Sequence, residues 1–371
     1  MKNKHFLPIV LYGLIAIILL LLPTGYEGAK VNDSAIRVKA EVLSTNDGNI
    51  LTSGIVQHGE QSCQVKILKG KYKGEVVDAV NTLNGSLEQD KIFKAGEKAL
   101  VMISQKADKI VSVSMIDHYR IHYEVLLLLG FFIFLVVFAG PVGVRTMLSF
   151  ILTLLMIWKL LIPAYLKGFN PLIVGGVIVA FLTLAIISLV YGFDKRCLAA
   201  IIGSVSGLLV TCIMGIIATK MFALNGAVMA YSESLLYSGF EYLNLTEIFI
   251  ASIYIGASGA VMDLSVDITS AVHEVIMRRP DITRKEAVRS GINVGRDTMG
   301  TMTTTLLLAY SGGFVALLMV FMAQGTPIVN ILNYKYVAAE IIHTLVGSFG
   351  LVTVAPLTAL SAGLVLASNK N

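Results

Sequence analysis

Runs of about twenty apolar residues, broken by few formal charges, recur along this chain, and no other feature limits so strongly what it can fold into. Pro171 to Tyr191 is the clearest case, with no Asp, Glu, Lys or Arg in the stretch. Comparable stretches lie at Phe6 to Leu22, Tyr123 to Ala139, Thr146 to Ile162, Leu198 to Ala218, Glu247 to Val266, Met299 to Met322 and Tyr336 to Leu366. A helix needs about that length to cross the ~30 Å hydrocarbon layer of a bilayer. With 56% hydrophobic and only 14% charged residues, the chain has too few polar side chains to clothe so many apolar helices in water. The expectation is an α-helical polytopic membrane protein of about eight spans, with the lipid bilayer as its first partner.

One segment departs from this texture. Residues 29–121 are rich in charge, and apolar residues alternate with polar ones in short bursts at residues 36–42, 64–70, 74–80, 99–103 and 109–113, the period of half-buried strands. Gly70 to Gly74 reads as a hairpin turn, and Asn84-Gly85 as another. Five strands in such a length predict a small all-β, OB-like barrel outside the membrane. The chain thus divides into an N-terminal anchor (1–28), an extracytoplasmic β domain (29–121) and a seven-helix membrane domain (122–371) with a basic cytoplasmic loop at 267–298. The stretch behind Lys2 and Lys4 is long for a signal peptide and lacks a clear cleavage site, which favours a retained anchor.

Orientation follows from charge. Both termini and the connections on their side carry Lys2, Lys4, Arg145, Lys195, Arg196, Arg278, Arg279, Arg284, Lys285, Arg289, Arg296 and Lys370, against Lys159, Lys167, Lys220 and Lys335 in the short connections opposite. This asymmetry predicts a multi-pass protein of the cell (plasma) membrane with both termini cytoplasmic. Two connections stand out. Lys220 to Thr246 is too polar to span and too apolar to hang free, so an interfacial or re-entrant helix is expected. Within 267–298, apolar residues recur at helical spacing on both sides of Arg279-Pro280, suggesting two amphipathic helices on the membrane surface, the second opened by a Thr283/Glu286 capping box.

Ionisable side chains inside or beside the last three spans are the candidates for chemistry, because a charge in hydrocarbon costs at least about 2.5 kcal/mol and needs an offsetting partner. Asp263 and Asp267 lie one helical turn apart on one face, with the shallower Asp267 better suited to the headgroup layer. Arg296 and Asp297 open the next span, followed by Thr301, Thr304 and Thr305; the plainer alternatives are a snorkelling arginine, a carboxylate favoured by the helix dipole, and hydroxyls bonded back to their own helix. Glu340 and His343 are three residues apart in the last span and share a face, a pair suited to proton relay, or equally an interfacial glutamate with a hydrogen-bonded histidine. Asp263, Asp297, Arg296, Glu340 and His343 form the candidate ion or proton site, with Asp267, Thr301 and Thr305 as lesser members.

The remaining signals exclude. Basic residues cluster by location and without interleaved aromatics, so nucleic acid is not an expected partner. Cys63, Cys197 and Cys212 have no metal-ligand spacing, and no metal or cofactor is expected. No phosphate loop, His-Glu-x-x-His or Gly-x-Ser-x-Gly motif occurs, so no enzyme activity is expected.

The residues Gly256-Ala257-Ser258-Gly259-Ala260-Val261-Met262-Asp263, then Val294-Gly295-Arg296-Asp297-Thr298-Met299-Gly300-Thr301-Met302, then Gly347-Ser348-Phe349-Gly350 followed by Pro356-Leu357-Thr358-Ala359, resemble the YibE/F family of multispanning bacterial membrane proteins. The resemblance also takes in the anchor and the β domain, and it implies a transport role. A weaker similarity joins residues 296–305 to the corresponding helix start of SecD/SecF-type proton-driven proteins, although Asp297 and Gly300 depart from that pattern. A secondary transporter or permease component for an unknown small solute or ion, proton- or ion-coupled, is therefore expected. The alternatives are a SecD/SecF-like accessory protein and a non-transporting scaffold whose β domain binds a membrane or envelope protein.

Overall fold

A computed structural model describes residues 5–26, 35–106 and 109–367, so Lys2, Lys4 and Lys370 of the charge count lie outside the described residues. The chain divides into two compact units, residues 27–135 and a second made of residues 1–26 with 136–371.

The smaller unit contains the expected barrel. Strands β1 (Ala35–Ser53), β2 (Val56–Ile67), β3 (Val76–Asn84), β4 (Lys98–Lys106) and β5 (Lys109–His118) close in the order β1-β2-β3-β5-β4, antiparallel except for β3 against β5. The β3–β5 closure is narrow, with Val80 against Ser114 as the one register pair among the described residues. Alternation decides the inside: Ala40, Val42, Val65, Ile67, Val101 and Ile103 are fully buried. Gly70 and Gly74 bound the β2–β3 turn with positive φ, as the sequence implies. β1 and β2 run further than their apolar alternation, through the polar stretch between them, because Asn49 to Ser53 pair with Val56 to Glu60 and satisfy their backbone groups as a ribbon.

Among the described residues the longer helices are α1 (Phe6–Leu21), α2 (Ile121–Ala139), α3 (Pro141–Leu166), α4 (Pro171–Tyr191), α5 (Lys195–Met221), α6 (Leu245–Arg278), α7 (Arg284–Ala323) and α8 (Lys335–Leu366), with residues 121–135 of α2 falling in the smaller unit. Among the described residues, α2 to α8 are long and apolar enough to cross a membrane, and α1 is a shorter apolar helix. α3 contains one π turn at Ile157–Leu161, and α7 passes through a 3-10 turn at Gly312–Phe314. Side-chain caps set four starts: Asn170 accepts from the Ile173 amide, Asp194 from the Arg196 and Cys197 amides, Asn244 from the Glu247 amide, and Thr283 with Glu286 forms the capping box.

α8 packs against α5, α6 and α7. Small residues permit this on two sides. Gly203 and Gly207 of α5 abut Thr358 and Val354, while Gly291 and Gly295 of α7 abut Ala359 and Ala355. A Cβ on Gly207 would stand 2.7 Å from Val354 Cβ. Buried hydroxyls stay bonded here: Ser265 and Thr358 are 3.0 Å apart, and Ser361 donates to the Ala199 carbonyl at 2.8 Å. α1 is part of the same unit, with buried Tyr12 accepting from Ser188 of α4 at 2.9 Å and packing with Leu152, Leu155 and Leu182.

Two expectations about connections need correction. The basic loop at 267–298 is not a loop carrying separate surface helices. α6 continues to Arg278 and α7 begins at Arg284, so the connection is only 279–283 and the helical periodicity on either side of it belongs to the long helices themselves. Pro280 lacks the amide that would continue α6, so the break falls there. The segment between α5 and α6 is likewise not one helix: a 3-10 turn at Gly226–Val228 and short helical turns at Ser232–Leu235 and Leu236–Phe240 are interrupted by positive φ at Tyr231 and Gly239.

Candidate functional site

Three helices converge on one polar cluster at the end of the bundle where α6 and α8 begin. α8 contributes Glu340 and His343, α6 contributes Ser252, and α7 contributes Tyr310. His343 Nε2 stands 3.0 Å from the Ser252 hydroxyl, and its ring stacks on Tyr310 with centroids 5.5 Å apart and lies 5.2 Å from that of Phe249. Gly256 makes room for Tyr310, since a Cβ there would stand 2.5 Å from the tyrosine hydroxyl.

The cluster is not saturated. The Tyr310 hydroxyl and Glu340 Oε1 are both buried without a hydrogen-bond partner, and the Glu340 carboxylate is within electrostatic reach of Tyr310. An unsatisfied polar atom in low dielectric is costly, so atoms left this way mark a place where a proton, an ion or a solute group completes the bonding. Glu340 and His343 do share the side of α8 facing this cluster, as their spacing implies, yet no hydrogen bond joins them; His343 reaches α6, and Glu340 lines a groove against α7.

The remaining candidates sit elsewhere. Contacts between Ser252 and His343, between Ala257 and Gly347 and between Ser265 and Thr358 show α6 and α8 running parallel, and Gly295 against Ala355 places α7 antiparallel to them. Asp263 and Asp297 therefore share a level, that of Val354 in α8, about 20 Å along the axis from Glu340 at 1.5 Å per residue. Neither they nor Arg296 and Asp267 make an ion pair or hydrogen bond among the described residues, and all four side chains are on outward, exposed faces of α6 and α7. Thr301 and Thr305 donate to the carbonyls of Thr298 and Thr301 in their own helix. The structure thus unites Glu340 and His343 and keeps the aspartates apart from them.

Tyr310 and Ser252 escaped the sequence reading. Neither carries a charge, and their importance comes from partners on other helices; the one readable hint is a tyrosine hydroxyl deep within an apolar span, which needs a partner of its own.

A profile described as YibE/F-like protein matches residues 127–368, and one described as YibE/F family N-terminal domain matches residues 37–119. The chain belongs to the YibE/F family. In this YibE/F chain the N-terminal profile covers the barrel, and the other runs from within α2 through α8. No curated protein and no solved structure matches the chain, so the SecD/SecF likeness has no support beyond residues 296–305. Long apolar helices and family together make it a multi-pass membrane protein.

Proposed function

We propose that this YibE/F protein is a secondary transporter whose proton- or ion-binding step takes place at Glu340 and His343, with Tyr310 and Ser252 holding the pair in place. The observation that carries this reading is the set of buried, unpartnered oxygens at Glu340 and Tyr310 beside a histidine, inside three packed apolar helices. Lipid cannot solvate such groups, and a stable anchor has no need of them. Asp263 and Asp297, near a common level further along the bundle, serve in this reading as a second relay toward the opposite face. Both termini lie in the cytoplasm of the cell, as the Lys and Arg asymmetry favours, and no enzymatic step, metal or cofactor enters the cycle.

The test is proton movement in vesicles of purified protein loaded with a pH dye. A pH gradient is imposed and a panel of amino acids, phosphate, and mono- and divalent cations is added in turn. Wild type is expected to move protons faster than empty vesicles with at least one solute, and Glu340→Gln to lose that flux. A wild type indistinguishable from empty vesicles across the panel would reject transport in favour of a scaffold role.

A further inference from the structure

Between α7 and α8 lies an open groove of about 250 Å³, lined by Leu307, Phe314, Leu318, Ile341 and Leu345, of which the three leucines are exposed. Its sole ionisable lining residue is Glu340, and the other polar side chains are Ser311 and Thr344. The Oε1 atom of Glu340 is buried without a partner, and the ion pairs among the described residues join other groups. An acidic group set in an apolar wall is held ionised by a ligand that brings a positive charge and little need for water.

The walls discriminate among cations. Calcium takes six to eight oxygens and magnesium holds its waters, and one carboxylate with two hydroxyls in a hydrocarbon wall supplies neither environment. An organic ammonium keeps its charge on a body that the leucines and isoleucine can cover, and the Phe314 ring face can attract the cationic head. The volume is just below the ~300 Å³ lower bound of sites for drug-sized ligands, so the groove covers about one ring and a short arm of its occupant.

We infer that this groove binds a small organic monocation of the arylalkylammonium kind, with Glu340 as its counter-ion. The inference rests on the transport reading only in sharing Glu340 with it, and names a substrate class for that carboxylate.

Equilibrium binding of tritiated benzyltrimethylammonium to the full-length protein in nanodiscs tests it, because binding needs no flux. Wild type is expected to bind saturably, and neopentylbenzene, which has the same shape with carbon in place of nitrogen, to compete about tenfold or more weakly. Glu340→Gln should weaken binding about tenfold or more, the scale seen when one partner of a buried charge pair is removed. Leu318→Trp, which fills the groove and leaves the carboxylate, should weaken it comparably. Absence of saturable binding to wild type, equal affinity for the neutral isostere, or unchanged affinity in Glu340→Gln would each overturn the inference; the neutral-isostere result would make the groove a seat for lipid chains. Binding without proton flux would reject the transport reading and keep the cation site, and flux without binding would do the reverse.

Discussion

The Ser252 hydroxyl donates to the Phe249 carbonyl at 2.7 Å and stands 3.0 Å from His343 Nε2. With its one proton given to that carbonyl, the hydroxyl accepts from the histidine, which puts a proton on Nε2. Nitrogen-15 shifts of labelled histidine should report the Nε2–H tautomer. Ser252→Ala leaves that N–H buried without an acceptor and should cost about 1–3 kcal/mol, seen as a lower unfolding temperature in detergent. An unchanged temperature would show that the two helices do not depend on this contact.

Gly207→Leu should destabilise the bundle by about 1–3 kcal/mol or more, because the new side chain has to displace α8 at Val354. Gly176→Ala is the matched control, since a Cβ there meets nothing within 4 Å. Thermal unfolding of the two variants side by side should separate them clearly; equal stability would mean that α5 and α8 do not approach this closely.

In the barrel, Gln61 is completely buried and donates to Asp47 and the Phe93 carbonyl while accepting from Asn81 and the Phe93 amide. Gln61→Leu strips partners from several buried groups, each costing about 1–3 kcal/mol. Hydrogen exchange should then speed up at the Phe93 amide well before it does in the β1–β2 ribbon. Uniform protection in the variant would contradict the network.

Asp90 accepts from the Asn84 amide at 3.0 Å and from the Ser86 amide at 2.8 Å. The Asn84 bond foremost, then the Ser86 and Gly85 amides and the charge of Lys91, hold its carboxyl below the ordinary value against a smaller opposing effect of desolvation. A depressed folded value means that the stabilisation is present above the unfolded carboxylate range, near pH 4, and is lost as pH falls through the folded value. Protection of the Asn84 and Ser86 amides should therefore fade only in acid below that range. Asp90→Asn should abolish this acid limb, and persistence of the limb in the variant would refute the assignment.

Cys63 is 2% exposed, and burial foremost, with the Asp47 charge adding to it, pushes its thiol up to about 11. A maleimide at neutral pH should leave it unmodified in the native protein and label it once urea opens the barrel. Rapid native labelling would mean that the barrel interior is accessible.

Much of this was legible without coordinates. Charge-free runs locate helices because backbone and lipid leave a spanning segment few other choices, and the alternation from Ile36 to Val42 or from Gln64 to Ile67 announces strands because one face must avoid water. The Thr283/Glu286 capping box was readable for the same reason: its partners are three residues apart. Connections were the weak point. The polar, basic residues around Asp267 and Arg296 suggest a loop at the membrane surface, whereas helix hydrogen bonds satisfy their backbone equally well and carry α6 and α7 on to 278 and back from 284.

By itself, then, the sequence determined the class of protein, its spans and barrel, and the pairing of Glu340 with His343 on one side of a helix, all consequences of period and composition. Which helix each face meets was decided by tertiary structure alone. Ser252, Tyr310 and the groove beside Glu340 come together because Gly203, Gly207, Gly256, Gly291 and Gly295 let helices distant in sequence approach closely. Periodicity states which side of a helix is polar; only packing states what that side touches, since close contact depends on the summed shapes of neighbours that no local pattern records.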